Sequence, residues 1–231
     1  MTLLSSALFA VWDVETTGLS PADDAVVEVG LALLEGGEVV FSGALLVDPG
    51  RPIPEDVTLI HGIRDVDVAG APSLLEALES LGQVMPRPPT AYVAHAAAFD
   101  RGFLGLTQAP WICTLRLAQH LLPYHPRRLG ALCHELGIPM GREHRADDDA
   151  RAAALLLAHL LPLLPPEVET VEQLAAFTDR PLLQHICRVN GFAGRPWTEL
   201  TLAELQAIAT HEDLDPDARH SLAHYRGEVE G

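Results

Sequence analysis

Apolar residues in the first half of the chain fall in short runs that have the length and composition of β-strands. Two of these runs are joined through Glu35-Gly36-Gly37-Glu38, which has the composition of a hairpin turn. The runs that predict strands cover residues 7–14, 26–34, 39–47, 90–95 and 111–114. We therefore expect a central sheet in this half of the chain.

The spacing of apolar residues becomes helical after the last of these strands. The longest helical stretch carries an Ala- and Leu-rich face, as a helix packed on a sheet would. The segments that predict helices cover residues 73–81, 97–104, 115–122, 128–136 and 147–164. Strands that come first and helices that follow predict an α/β domain with a mixed central sheet flanked by helices.

A group of prolines within residues 162–166 ends the last of these helices. We expect one domain over residues 1–165 and a small helical C-terminal extension over residues 168–231. The helix-start signals in the extension are the capping boxes Thr170–Gln173 and Thr201–Glu204 and the N-cap pair Asp215-Pro216.

Composition narrows the class of protein. The 231 residues include 15 arginines and no lysine against 32 acidic residues, so the net charge is −17. This balance argues against a protein that coats duplex DNA by neutralising phosphates. It leaves room for an enzyme that binds only a strand end and obtains positive charge from metal ions. The chain has no apolar run of about 18 residues, which predicts no membrane segment.

Cysteine usage bears on the compartment. The chain has an odd number of cysteines, and none of them has CxxC spacing. This argues against a disulfide framework and against a zinc ribbon, and it favours a reducing cytoplasm as the location.

Two carboxylates, Asp13 and Glu15, stand two residues apart at the end of the first predicted strand, so their side chains point to the same face. Carboxylate oxygens are the ligands that divalent cations prefer. The same spacing occurs at Asp65 and Asp67, where a solvated surface explains it. At the first strand, however, the turn Thr16-Thr17-Gly18-Leu19 follows at once and places backbone amides beside the acids.

Further acids stand at two predicted helix starts. Asp100 follows a short strand, and the acidic run Asp147–Asp149 follows His144. The helix dipole favours acids at these positions without any further chemistry. It does not explain why all three acidic sites stand on segments that can line one edge of the sheet.

The three sites together, in this order, resemble the motifs of DEDDh 3′→5′ exonucleases, the family of the proofreading subunit of bacterial DNA polymerase III. The resemblance covers roughly residues 6–163 and implies an RNase H-like fold. The matching motifs are Asp13-Val14-Glu15-Thr16-Thr17-Gly18-Leu19, His95-Ala96-Ala97-Ala98-Phe99-Asp100 and His144-x4-Asp149-Ala150. Ile60-His61-Gly62-Ile63 is similar to a further family feature near the terminal nucleotide.

The resemblance implies roles for individual residues. His144 would act as general base on a water molecule. The carboxylates that would hold two divalent metal ions, Mg²⁺ or Mn²⁺, are Asp13, Glu15, Asp100 and Asp149. The residues that would contact the terminal nucleotide are Thr16, Thr17 and His61, and Asp56 is a further candidate for that pocket.

Two features modify the resemblance. Ala96 stands where the family's second motif usually has asparagine, which removes an amide from the site but leaves the ligand Asp100, so we expect activity to survive. In the tail, Phe192–Leu200 and Leu214–Tyr225 look like a degenerate copy of an extension found in exonuclease X-type members, without the usual lysines.

These expectations combine into a metal-dependent 3′→5′ exonuclease that releases nucleoside monophosphates from single-stranded 3′ ends in DNA repair or proofreading. DNA is favoured over RNA because the Thr-Thr-Gly-Leu form and the tail resemble the DNA-directed branch. A polymerase or repair complex is the expected protein partner. Two alternatives stay open, namely an RNA-trimming 3′→5′ exoribonuclease of the same superfamily and a non-catalytic module that binds a polymerase or a strand end.

Overall fold

The structure is a computed structural model that describes the backbone of residues 1–230 and the side chains of residues 1–227. Gly231, the last residue of the predicted extension, lies outside the described residues. The chain divides into two compact units, Met1–Thr178 and Asp179–Gly231.

The first unit is built on a five-stranded sheet in the order β3-β2-β1-β4-β5. The strands β1, β2 and β3 pair antiparallel, whereas β4 pairs parallel with both β1 and β5. Their bounds are β1 Leu8–Thr16, β2 Val26–Glu35, β3 Glu38–Leu46, β4 Ala91–Ala94 and β5 Trp111–Cys113. The mixed sheet confirms the predicted α/β fold class.

Eight α-helices surround this sheet. They are α1 Glu55–His61, α2 Asp65–Val68, α3 Leu74–Gly82, α4 Ala97–Leu104, α5 Thr114–Leu121, α6 Leu129–Leu136, α7 Ala146–Leu160 and α8 Val171–Thr178. The sequence pattern predicts α3 to α7 but misses α1 and α2. In α1 the apolar residues Leu59 and Ile60 are exposed and only His61 is buried, so no apolar periodicity announces the helix.

The alternation of side chains along β1 decides which residues reach the site. Leu8, Ala10 and Trp12 pack in the core on one face of the sheet, and Phe9 and Val11 pack on the other, where α7 lies. Because side chains alternate with period two, Asp13 and Glu15 continue the row that faces α7.

The start of α7 comes very close to the sheet beside this row. Asp13 is paired with Gly30 on β2, and a Cβ atom at Gly30 would overlap the carbonyl group of Ala146. A glycine at this position therefore allows the first turn of α7 to lie against the end of β1.

The boundary between the two units along the chain lies between Thr178 and Asp179, whereas the sequence predicts it at residues 165–168. The difference arises from α8, whose apolar residues Val171, Leu174 and Phe177 pack in the same core as α7. The predicted capping box at its start is present, since the backbone N–H of Gln173 donates to Thr170 Oγ1 and the side chain of Gln173 accepts in return.

The second unit has a small core of its own that includes Leu205 and Ile208, together with Trp197, whose ring stacks on that of Tyr225 at 6.0 Å between centroids. Its α-helices are α9 Leu202–Ala209 and α10 Pro216–Glu230. Both predicted helix starts are confirmed: Thr201 forms a capping box, and Asp215 Oδ1 accepts from the backbone N–H of Ala218. Within the described part of the chain, no helix has the length and apolarity that crossing a membrane requires.

Candidate active site

Five side chains predicted to be catalytic lie around one cavity of about 550 Å³ in the first unit. The cavity is lined at its acidic end by Asp13, Glu15, Asp100, His144 and Asp149. The elements β1, α4 and α7, with the segment directly before α7 that holds His144, therefore bring together residues that are far apart in the sequence.

The deepest members of this group come from two helix starts. Asp100 in α4 is only 4% exposed, and Asp149 in the first turn of α7 is 8% exposed. The carboxylate of Asp149 accepts the backbone N–H of His144 at 2.9 Å, which connects the helix to the segment before it. Ligand atoms of Glu15, His144 and Asp149 all lie within 4.8 Å of one another.

The crowded carboxyl groups resist ionisation. Burial, followed by the charges of Asp100 and Asp149, raises the pKa of Asp13 well above its ordinary value. Burial and the charge of Asp149 raise the pKa of Glu15 to about 8. Burial raises the pKa of Asp100 to about 7, and burial with smaller contributions from the charges of Glu143 and Asp148 raises that of Asp149 to about 6, while backbone hydrogen bonds oppose both shifts. A divalent cation would relieve this repulsion, and the carboxylate-rich donor set fits a hard cation.

The raised pKa values predict that the metal-free protein loses stability as the pH rises from about 4, where unfolded carboxyl groups titrate, to about 8, the folded value of Glu15. The sign follows because the folded state binds more protons than the unfolded state in this range. Thermal unfolding in EDTA over this range measures the effect, and Mg²⁺ should reduce it. Asp100→Asn removes one titrating carboxyl group, so its unfolding temperature should fall less steeply with pH. Equal slopes of unfolding temperature against pH in the variant and the parent would contradict the raised pKa of Asp100.

His144 has an unusual backbone. Its φ angle is 61°, and it is the only non-glycine residue with a positive φ in the described part of the chain. This left-handed conformation costs about 1 kcal/mol for a residue with a Cβ atom. The bond to Asp149 and the anchoring of the next residue, Arg145, hold it in place.

Arg145 is anchored by a buried carboxylate that the sequence analysis overlooked. Glu28 on β2 is 2% exposed and stands opposite Glu15 in the sheet. Its carboxylate accepts from Arg145 Nε at 3.0 Å, from Arg145 Nη2 at 2.6 Å and from the backbone N–H of Ala146 at 2.9 Å. The pair neutralises an acid beside the cavity and fixes the start of α7. The sequence signal that points to Glu28 is its position as a single acid inside the apolar run of β2.

We expect Glu28→Ala to lower the free energy of unfolding by about 3 kcal/mol, because it leaves the guanidinium of Arg145 without its buried partner. The matched control is Glu35→Ala, which breaks the Arg87–Glu35 pair on the surface of the same unit. That exposed pair should contribute less than about 1 kcal/mol. Denaturant unfolding of both variants measures the difference. Similar decreases in the free energy of unfolding would show that the buried pair stabilises the fold no more than the exposed pair.

The residues predicted to contact the nucleotide lie apart from the cavity lining. Thr16 and Thr17 are buried, and their hydroxyl groups bond within the turn after β1, to the carbonyl of Gly18 and to Asp24. His61 is buried as well, and its Nδ1 accepts the backbone N–H of Ile63. Burial lowers its pKa.

Asp56, the fourth of these residues, is exposed on α1, whereas Ile60 on the same helix does line the cavity. Ala96 also lines the cavity, at the residue before α4. A contact between the nucleotide and Thr16, Thr17, His61 or Asp56 thus stays a prediction, and Ile60 and Ala96 are the neighbours that line the cavity directly.

Comparison with known proteins adds an independent finding. A family model described as Exonuclease (RNase_T) matches residues 10–157. The chain is 33% identical over 169 residues to the PolC-type DNA polymerase III of Bacillus cereus, with 69% of this chain aligned to 12% of that protein. It is 33% identical over 172 residues to the PolC-type DNA polymerase III of Thermotoga maritima, with similar coverage, so it spans about one eighth of these curated relatives.

Solved structures give the same result. Exonuclease X in complex with 5′-overhanging duplex DNA matches with a TM-score of 0.64 and 31% identity, covering 74% of this chain and 99% of that one. Exonuclease I of E. coli in its complex with single-stranded DNA matches with a TM-score of 0.58 and 18% identity, covering 68% of this chain and 41% of that one. These matches confirm the predicted RNase H-like fold.

Proposed function

The chain belongs to the exonuclease family, and on that premise we propose that it removes nucleoside monophosphates from the 3′ ends of single-stranded DNA with the help of divalent metal ions. The observation that carries this proposal is the meeting of four acids from three separate elements, and of a histidine from the segment before α7, in a single cavity. The helix dipole favours an acid at each helix start, but it does not explain four acids in one cavity, because their burial raises their pKa values and destabilises the metal-free fold.

The carboxylates determine the cofactor that we propose. Asp13, Glu15, Asp100 and Asp149 would hold two Mg²⁺ or Mn²⁺ ions, since their oxygen atoms suit hard cations. Ions in such a site lower the pKa of water and stabilise negative charge on the scissile phosphate and on the leaving 3′-oxygen. The buried positions of Asp100 and Asp149 would keep the site in a fixed geometry.

His144 is the residue that we propose as general base. It is exposed, so it can reach a substrate in the cavity, and its ring lies within reach of the oxygen atoms of Glu15 and Asp149. Histidine is the side chain most often used to accept a proton from an attacking water. The hydrogen bond from its backbone N–H to Asp149 and the Arg145–Glu28 pair would fix the backbone that carries it.

The relatives favour DNA as the substrate. Two of them are PolC-type DNA polymerases, and the complexes of exonuclease X and exonuclease I contain DNA. The polymerase relatives also support association with a polymerase or a repair complex. An enzyme of this kind would act in the cytoplasm, and the free cysteines agree with a reducing compartment.

The test is a gel assay with metal-stripped protein and 5′-labelled single-stranded DNA and RNA of one sequence, in Mg²⁺, Mn²⁺ or EDTA. We expect a ladder that shortens the DNA from its 3′ end in the presence of metal, with RNA digested more slowly. Faster digestion of RNA would replace the proposal by the exoribonuclease alternative. Failure to cleave either strand in any metal would favour the non-catalytic binding module.

A further inference from the structure

The cavity has a strongly uneven charge. Five acidic residues line it, and the lining contains a single arginine, Arg128, which stands directly before α6. Four of these acids are the proposed metal ligands, and two divalent ions would offset their charge. A nucleic-acid strand carries a negative charge at every phosphate, and Arg128 is the fixed cation that the lining offers to a phosphate outside the metal site.

Arg128 is free to bind a ligand. It is exposed, and its guanidinium has no hydrogen-bond or ion-pair partner among the described residues. Three other arginines of this unit are paired with acids: Arg145 with Glu28, Arg87 with Glu35 and Arg64 with Asp67. An unpaired guanidinium beside five acids is difficult to explain by folding, since it lies within their field without bonding to any of them.

The segment that carries Arg128 is tied to the wall of the cavity by His95. The Nε2 atom of His95 lies 2.8 Å from the carbonyl oxygen of Arg127, and its Nδ1 lies 3.0 Å from the hydroxyl of Thr114. A carbonyl only accepts, so Nε2 carries the proton of the neutral ring. Burial lowers the pKa of His95, which favours this neutral form. The ring thus holds the backbone beside Arg128 in place.

We propose that Arg128 binds a non-scissile phosphate of the DNA strand and that His95 is a positioning residue for it. This inference rests on the proposed exonuclease function and deepens it. The scissile phosphate must lie at the buried carboxylates, whereas Arg128 is exposed, so the two groups address different phosphates of one strand. The planar guanidinium suits a phosphate because it can donate two parallel hydrogen bonds.

The test compares Arg128→Ala and Arg128→Lys with Arg87→Ala. Arg87 pairs with Glu35, which lies opposite Leu8 at the far end of β1 from Asp13, so the control removes the same charge from the same unit. We expect Arg128→Ala to raise KM about tenfold with kcat nearly unchanged. The log–log slope of KM against salt should become shallower by about 0.7, the value for one phosphate of a single strand. Arg128→Lys should keep the slope and recover part of the affinity.

A substrate with one neutral methylphosphonate linkage locates the phosphate. The linkage is placed at successive positions along the strand. At one non-scissile position it should raise the KM of the parent protein, and at that position it should leave the KM of Arg128→Ala unchanged. An unchanged salt slope and an unchanged position profile in Arg128→Ala would overturn the proposal while the parent protein still digests DNA. An inactive parent protein would instead refute the proposed function, so the two failures are distinguishable.

His95 is tested by a double-mutant cycle. If His95 acts through Arg128, His95→Ala should raise KM in the parent protein but not in the Arg128→Ala background. Thermal unfolding of each variant checks that it is folded. A KM increase of the same size in both backgrounds would overturn the positioning role of His95.

Discussion

Asp13→Ala is expected to lower the rate of DNA digestion by at least about a thousandfold, equivalent to about 4 kcal/mol of transition-state stabilisation, while the fold stays intact. The charges of Asp100, Asp149 and Glu15 all raise the pKa of Asp13, so its carboxyl group interacts with every other proposed ligand. A side chain that interacts with every other proposed ligand is the one whose loss most disturbs a pair of bound ions. Single-turnover digestion with saturating Mg²⁺ measures the effect.

The same substitution should not weaken the metal-free protein, because burial and repulsion already disfavour the Asp13 carboxylate. Asp147→Ala is the matched control, since Asp147 belongs to the acidic run at the start of α7 but does not line the cavity. Its rate should stay within about threefold of the parent, as expected for a change outside the reacting groups. An Asp13→Ala protein that digests DNA at nearly the parent rate would refute the assignment of the active site.

The sequence was sufficient for most of the architecture that positions the site. The apolar run before Asp13 and the alternation along β1 place Asp13 and Glu15 on one face. The Ala- and Leu-rich face of α7 predicts a helix against the sheet, and its acidic start is carried to the end of β1. Local pattern and tertiary packing agree here, which is why the prediction succeeded.

Contacts between segments that are distant in sequence could not be predicted in the same way. Arg145 and Glu28 are separated by more than one hundred residues, and only the packing of α7 on β2 joins them. The helix α1 lacks an apolar face, so it depends on its surroundings. The side-chain bonds that occupy Thr16 and Thr17 within their own turn are equally invisible in a motif, which shows residue types but not directions.

His144→Ala should lower kcat by about a hundredfold to ten-thousandfold, the usual contribution of a general base, with KM changed only slightly. The imidazole is proposed to act on the attacking water rather than on the bound strand, so its loss affects turnover and not affinity. Steady-state digestion of a short labelled oligonucleotide separates kcat from KM. Added imidazole should restore part of the rate, because it can enter the space that the side chain leaves.

The positive φ of His144 supplies a control for the backbone. Glycine adopts this conformation without strain, whereas alanine does not, so His144→Gly should be more stable than His144→Ala by about 1 kcal/mol. If the imidazole accepts the proton from the attacking water, kcat should fall by the same factor in both variants despite this difference in stability. If the residue only shapes the segment before Asp149, glycine should keep more activity than alanine, and the general-base role would be refuted.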